Sequence, residues 1–481
     1  MNKYTLFTRQ VGLVGIIYIL TSLSTFILLP ILTNNLTIQE YGVWVQVNVT
    51  VLLISNLSQL GMPNTMTRFL AAENEREEIQ EGLYSILSLV LVVAITVSAV
   101  LFLLSDQLGN LLFNGNEMVA KILPFIILTT GINNFLLTYF RTFQQMKKYS
   151  SFILLQSYLN VLSISFLVLS GLEIFGAIMG LLITQIIVFF IMFIFIVSDI
   201  GFKTPNFRNI REYLTFGLPT VPSTLSSWIV DSSDRYIIGL LLGTTFVGYY
   251  SPSYTLATII SMLLIPFSTM LPPVLTKHYD ENRNDQVKTI MFYSLKYYLI
   301  LAIPAVFGLS LLSRPILMIL TTPEIALNGY LVTPFVTLGA LLYGIYGIYG
   351  VVLLLKMKTK IIGSVWIIAA LFNIIFNIIL VPIFGILAAA VVTLFTYLIT
   401  FMIVYLYSNK FFKFHFDYKI LVKILISSSL MAILIVSANP NGIISVFTII
   451  IISILIYTAI IFLLGVIEKD ELKFFIQSIR T

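Results

Sequence analysis

Residues 361–407 read IIGSVWIIAALFNIIFNIILVPIFGILAAAVVTLFTYLITFMIVYLY, 47 positions without an Asp, Glu, Lys or Arg. A helix needs ~20 apolar residues to cross a ~30 Å hydrocarbon core, so this stretch holds two crossings, 361–381 and 384–407. The same texture runs through the whole chain of 481 residues, of which 58% are hydrophobic and 10% charged. A soluble domain carries roughly 25% charged residues, and no water-exposed surface can be built from so few. The expected fold is all-α and polytopic, a membrane protein and not a soluble enzyme.

Gly, Pro, Asn and charge clusters punctuate the other uncharged runs. Spans are expected at 11–32, 41–61, 82–105, 122–140, 149–171, 174–198, 213–240, 246–273, 289–312, 328–355, 361–381, 384–407, 419–438 and 442–466, fourteen in all. The first follows Lys3 and Arg9, is 22 residues long and lacks a small-residue cleavage site, so it reads as a retained span and not a signal peptide. Cytoplasmic loops keep Lys and Arg during insertion. With the N-terminus inside, 24 of the 27 basic residues fall on the cytoplasmic side, leaving Lys121, Arg235 and Arg314. The expected location is the cell membrane, multi-pass, with both termini cytoplasmic. The net charge of +6 resides in short loops, so no nucleic-acid partner is expected.

The chain matches itself at an offset of 206 to 209 residues. Leu36 and Gly42 fall on Leu242 and Gly248, Ser55 on Ser261, Ser105 on Ser313, and Ile174-Phe175-Gly176 on Ile383-Phe384-Gly385. An even six-span unit gives copies of like orientation, related by a pseudo-two-fold axis along the membrane normal. This predicts lobes at 1–199 and 200–410 around a central cavity, joined near Asp199 to Glu212, with two additional helices and a tail in 411–481.

An ionisable side chain inside a span costs ~2.5 to 3.5 kcal/mol on insertion scales, so it faces protein or a water-filled cavity. The seventh span carries Trp228-Ile229-Val230-Asp231-Ser232-Ser233-Asp234-Arg235-Tyr236, in which Asp231 and Arg235 share a helix face and Asp234 is adjacent. Two readings stay open: a cavity site for an anionic or polar ligand, or a structural ion pair near the outer end, ~27 Å along the helix. Pro219 and Pro222 remove backbone hydrogen bonds from the same span, making a gating kink or marking a helix start. Lys296, two turns into the ninth span, is a snorkelling lysine or a cation lining the cleft. Arg68 and Arg141, at inner span ends, are positive-inside anchors or phosphate contacts. Asn160, with Asn373 and Asn377, bonds between helices or lines the cavity. Met66 to Gly82, with five glutamates after Ala72, reads as a short lateral helix or a solvated loop.

Cysteine is absent, which excludes disulfides, and the two histidines, His278 and His415, leave no zinc or haem ligand set. No phosphate-binding glycine-lysine loop and no nucleophile-histidine-acid set is present, so no cofactor, metal or catalytic residue is expected.

Three segments resemble the Wzx-type oligosaccharide flippases of the multidrug/oligosaccharidyl-lipid/polysaccharide exporter superfamily. They are Gly61-Met62-Pro63 through Arg68-Phe69-Leu70-Ala71, then Tyr213-Leu214-Thr215-Phe216-Gly217-Leu218-Pro219, then Asp234-Arg235-Tyr236 followed by Gly243 and Val247-Gly248-Tyr249-Tyr250. The resemblance covers the whole chain. It implies a MATE-like fold and translocation of a polyprenyl-diphosphate-linked oligosaccharide to the outer leaflet by alternating access of two lobes. It also implies membrane lipids, and a glycan polymerase or glycosyltransferases, as partners. Arg235, Lys296, Arg68 and Arg141 are then candidate cations for the diphosphate, and Asp231 and Asp234 hold Arg235 or bond sugar hydroxyls. Multidrug members typically carry an acid in the first span, and Val11 to Leu32 has none. The competing expectations are a peptidoglycan-precursor flippase, a cation-coupled multidrug antiporter and a membrane-embedded polysaccharide polymerase.

Overall fold

The computed structural model describes residues 3–73, 75–414 and 416–467. His415 and the tail cations Lys469, Lys473 and Arg480 lie outside the described residues. The described residues form helices and no strand. In chain order these are α1 (Lys3–Asn35), α2 (Ile38–Ser58), α3 (Met62–Leu70), α4 (Arg76–Leu103), α5 (Ser105–Leu112), α6 (Glu117–Thr142), α7 (Met146–Leu167), α8 (Glu173–Ile200), α9 (Ile210–Gly217) and α10 (Val221–Leu242). The rest are α11 (Thr244–Ala257), α12 (Ile259–Met262), α13 (Ile265–Asp280), α14 (Asn284–Leu320), α15 (Pro323–Gly329), α16 (Val332–Leu355), α17 (Thr359–Phe384), α18 (Ile386–Phe411), α19 (Tyr418–Ala438) and α20 (Ile443–Leu463).

Among the described residues, ten helical stretches are long and apolar enough to cross a membrane alone, or eleven with α2 and α3 joined as one span bent by 47°. The 55-residue stretch Met146–Ile200 contains two of the expected runs, and α1 and α10 cover the first and seventh, so the helices accommodate all fourteen. Between α7 and α8 the chain turns through Val168–Leu172, where Gly171 adopts the left-handed region at φ 85° that a side chain would disfavour. Large apolar side chains stand open on the outer surface, among them Leu103, Ile444 and Leu463 at 79%, 83% and 84% exposed. In water that surface would drive aggregation; in hydrocarbon it is already solvated.

The lateral helix expected from Met66 to Gly82 begins earlier and ends sooner, as α3. Pro63 near its N-terminus needs no backbone donor there, and Gly61 supplies the left-handed turn (φ 73°) from α2. Met62, Met66 and Leu70 are buried along one face. Glu77 and Glu78 instead open α4, where carboxylates suit the positive end of the helix dipole.

Packing groups the chain into two compact units, Met1–Ser251 with Ala370–Ala389, and Pro252–Ala369 with Ala390–Thr481. In the first unit, α2 lies against α10 and α11 because glycines admit close approach. A Cβ on Gly42 would overlap the carbonyl of Thr244, and one on Gly248 would overlap the carbonyl of Ile38. These contacts are reciprocal under the 206-residue offset, which carries 38 to 244 and 42 to 248. The segment after α8 is strapped to the same unit: Arg76 Nε donates to Ile200 O (2.9 Å), Tyr84 Oη to Gly201 O (2.6 Å) and Ser85 Oγ to Asn206 O (2.6 Å). Lys203 closes the strap on Glu81 at 2.9 Å, and that carboxylate holds its ammonium pKa above the ordinary value.

In the second unit, the 37-residue α14 is the central post. Tyr298 is fully buried and fits where Gly344 of α16 leaves room. Tyr457 Oη of α20 donates to Ile300 O at 2.7 Å, and α19 packs along α14, so both helices after α18 dock on that post.

Candidate functional site

The seventh span is broken. α9 ends at Gly217, Leu218–Thr220 forms a 3-10 turn containing Pro219, and α10 restarts with Pro222 in its first turn. The donors missing at both prolines fall where the helix is interrupted, so the break is tolerated there. α9 packs on α3: a Cβ on Gly61 would overlap Gly217 O, Thr65 Oγ1 donates to Tyr213 O (3.2 Å), and Phe69 lies 5.3 and 5.5 Å from the rings of Tyr213 and Phe216. Two sequence segments some 150 residues apart are therefore one piece of structure.

Beyond the break, α10 turns a polar face inward. Asp234 and Arg235 are 1% and 9% exposed. Arg235 Nη1 donates to Asp234 Oδ1 at 3.0 Å and to the backbone carbonyl of Asp231 at 2.5 Å. Tyr250 of α11 donates its hydroxyl to Asp234 Oδ2, so the carboxylate is held from two helices. Gln46 of α2 donates to the Arg235 carbonyl at 2.8 Å, and Thr50 is hydrogen-bonded to the Tyr236 hydroxyl. On the other flank, Ser233 Oγ bonds Asn373 Oδ1 (3.2 Å), which also accepts from Asn377 Nδ2 (3.0 Å). Asn373 and Asn377 are fully buried. α2, α11 and α17 thus each hydrogen-bond to the stretch of α10 from Ser233 to Tyr236, and α11 reaches the Asp234 carboxylate itself.

Asp231 is exposed at the edge of this constellation. Arg68 and Arg141 are both exposed, each next to the Thr67–Thr142 hydroxyl contact (3.2 Å) that joins α3 to the end of α6. Asn160 of α7 is half-buried; its Oδ1 is enclosed with no protein hydrogen bond among the described residues. Lys296, in the second unit, is 3% exposed, with its ammonium 5.6 and 5.8 Å from the ring centroids of Tyr293 and Tyr297.

Several partners escape a reading of the sequence alone. Gln46 carries no charge and looks like an ordinary span residue, and nothing in the segments that hold Ser233 and Tyr250 says what these two side chains bond. Asn133 and Gln185 look as ordinary as Gln46, yet are fully enclosed and joined at 2.7 Å, with Gln156 at 3.3 Å from the same Gln185 oxygen. Also unforeseen is an apolar cavity of about 630 Å³ in the second unit, lined by Pro304 and Gly308 of α14, Met431 and Ile435 of α19, and Tyr457 and Ile461 of α20.

The family model described as "Polysaccharide biosynthesis protein" matches residues 7–279, more than half of the chain. This chain belongs to the polysaccharide biosynthesis protein family. A second model, described as "MatE", matches residues 219–379 of this family member. Among curated proteins, it is 24% identical over 282 residues to the "Probable low-salt glycan biosynthesis flippase Agl15" of Haloferax volcanii, covering 58% of this chain and 59% of that protein. It is 29% identical over 173 residues to "Probable flippase AglR" of the same organism, covering 35% of each. The match thus spans less than two thirds of the length of either relative. Among solved structures, "Lipid II flippase MurJ, inward closed conformation" superposes with a TM-score of 0.75 at 20% identity, covering 96% of this chain and 99% of that one. An inward-facing multidrug resistance MATE family transporter of the MOP superfamily gives 0.67 at 15% identity, covering 82% and 94%. At these identities the likeness establishes the fold: this polysaccharide biosynthesis family member has the helical architecture of that superfamily.

Proposed function

We propose that this protein is a flippase that carries a polyprenyl-diphosphate-linked oligosaccharide from the cytoplasmic to the outer leaflet of the cell membrane, for surface polysaccharide or glycan biosynthesis. No bond is made or broken; transport proceeds by alternating access of two repeat-related lobes, 1–199 and 200–410, with 411–481 appended and both termini cytoplasmic. The observation that carries this reading is a buried, hydrogen-bonded Asp234–Arg235 pair on the polar face of a membrane span. Burying such charges is expensive, and a diphosphate-sugar headgroup is the kind of cargo that uses them. The apolar cavity beside α14, α19 and α20 suits a polyprenyl tail. Arg235, Lys296, Arg68 and Arg141 are the proposed phosphate contacts, Asp231 and Asp234 hold Arg235 or bond sugar hydroxyls, Asn160 and Asn373 are proposed cavity residues, and Pro219 with Pro222 is the proposed gating kink. The name of the glycan biosynthesis flippase Agl15 supports the substrate class and that of the flippase AglR supports translocation, and glycosyltransferases or a polymerase are the proposed partners.

Depleting the protein in its host is expected to trap lipid-linked sugar on the cytoplasmic leaflet, measured by accessibility to an impermeant glycan-cleaving reagent in right-side-out vesicles. An unchanged leaflet distribution sinks the flippase reading. Altered drug resistance with normal surface glycan would point instead to a multidrug antiporter, and trapping of peptidoglycan precursor alone to a lipid II type carrier.

A further inference from the structure

The second unit holds a polar pocket of about 620 Å³. Its walls are the loop between α13 and α14, the loop between α16 and α17, and the end of α18. Three ammonium groups line it, those of Lys288, Lys356 and Lys413, against one carboxylate, that of Asp280. Lys288 is committed to Asp285 at 3.0 Å. Lys356 and Lys413 have no carboxylate within 4.0 Å among the described residues. Lys356 is half-buried and held in place by neutral groups: its Nζ donates to Tyr279 Oη at 2.7 Å and lies 4.9 Å from that ring's centroid. An ammonium fixed by a phenol keeps its whole charge for a ligand.

We propose that this pocket binds a phosphate group, carried by a membrane phospholipid or by a soluble phosphoester, at a site separate from the transport constellation. Two observations favour the lipid-borne source. Phe411 and Phe412 give the pocket an apolar wall. Met357, next to Lys356, is 88% exposed in the left-handed region (φ 54°), and Leu354 and Leu406 are 45% and 67% exposed. Exposed apolar side chains beside the held Lys356 ammonium match the boundary between acyl chains and headgroups, where each Lys near an anionic surface contributes enough for about five-fold in affinity. The inference does not rest on the flippase reading.

The test uses the full chain purified in detergent, with retention of dioleoyl-phosphatidylglycerol and of the matching phosphatidylcholine measured by native mass spectrometry. Wild type is expected to prefer the anionic lipid. The double variant Lys356→Gln/Lys413→Gln should weaken its retention roughly 25-fold, while Lys356→Arg/Lys413→Arg retains it. Lys360→Gln/Lys419→Gln removes the same charge outside the pocket and should change retention less than about two-fold. In a lipid-free arm, inorganic pyrophosphate that binds wild type and not the Gln pair, with no lipid preference in the first arm, assigns the soluble source. Equal loss in the control pair, or no preference for either phosphate probe, overturns the proposal. Matching thermal midpoints across the variants exclude misfolding as the cause.

Discussion

Arg235→Leu is expected to destabilise the protein by about 3 to 5 kcal/mol, the usual penalty for stranding one half of a buried ion pair. Asp234 is 1% exposed, and its carboxylate accepts from the Arg235 guanidinium, the Arg235 backbone N–H and the Tyr250 hydroxyl. Removing the guanidinium leaves a full negative charge with two neutral donors. Asp234→Asn/Arg235→Leu should recover stability to within about 1 kcal/mol of wild type, because a carboxamide oxygen still accepts from Tyr250 and no lone charge stays buried. Loss of folded protein on heating in detergent, followed by size-exclusion chromatography, reads this directly. The double variant also separates the two roles left open by the sequence. A stable double variant that no longer flips lipid-linked sugar assigns Arg235 to the cargo; one that flips at the wild-type rate shows the pair to be a structural bond. Wild-type transport by a well-folded Arg235→Glu protein would likewise remove the guanidinium from the proposed diphosphate site.

The second large effect is expected at the glycine contacts. Gly42→Ala should cost about 3 kcal/mol, at the upper end for overpacking, because the new Cβ meets the carbonyl oxygen and carbon of Thr244, backbone that moves only if a helix moves. Gly239→Ala should cost nearer 1 kcal/mol, since its Cβ meets the amide end of Gln46, a side chain that can swing away. That swing breaks the Gln46 bond to the Arg235 carbonyl, so Gly239→Ala should impair transport more than its small stability loss suggests. Gly248→Ala should resemble Gly42→Ala if the repeat-related contacts are equivalent. A Gly42→Ala protein with wild-type melting would show that α2 does not approach α11 as closely as described.

The span pattern was readable because crossing a membrane is a one-dimensional constraint: a run of apolar residues long enough to cover the hydrocarbon, ended by charge or turn residues, is visible without any partner. The same locality made Asp231, Asp234 and Arg235 conspicuous. The lateral helix was placed wrongly because Met66 to Gly82 mixes two short amphipathic signals, and the boundary is set by the turn at Gly61 and the first turn of α4.

Sequence alone therefore determined the all-helical class, the long apolar runs that the helices follow, the faint 206-residue repeat and the unusual charges of the seventh span. Tertiary structure decided which of those residues meet: that Asp234 takes its hydroxyl partner from α11, that Gln46 closes on Arg235, and that Asn373 joins from α17, while Arg68 and Arg141 sit where α3 meets the end of α6. The physical reason is that uncharged hydrogen-bonding side chains and small residues leave no periodic mark on a hydrophobic run; their meaning arises only when another helix supplies the matching donor, acceptor or backbone.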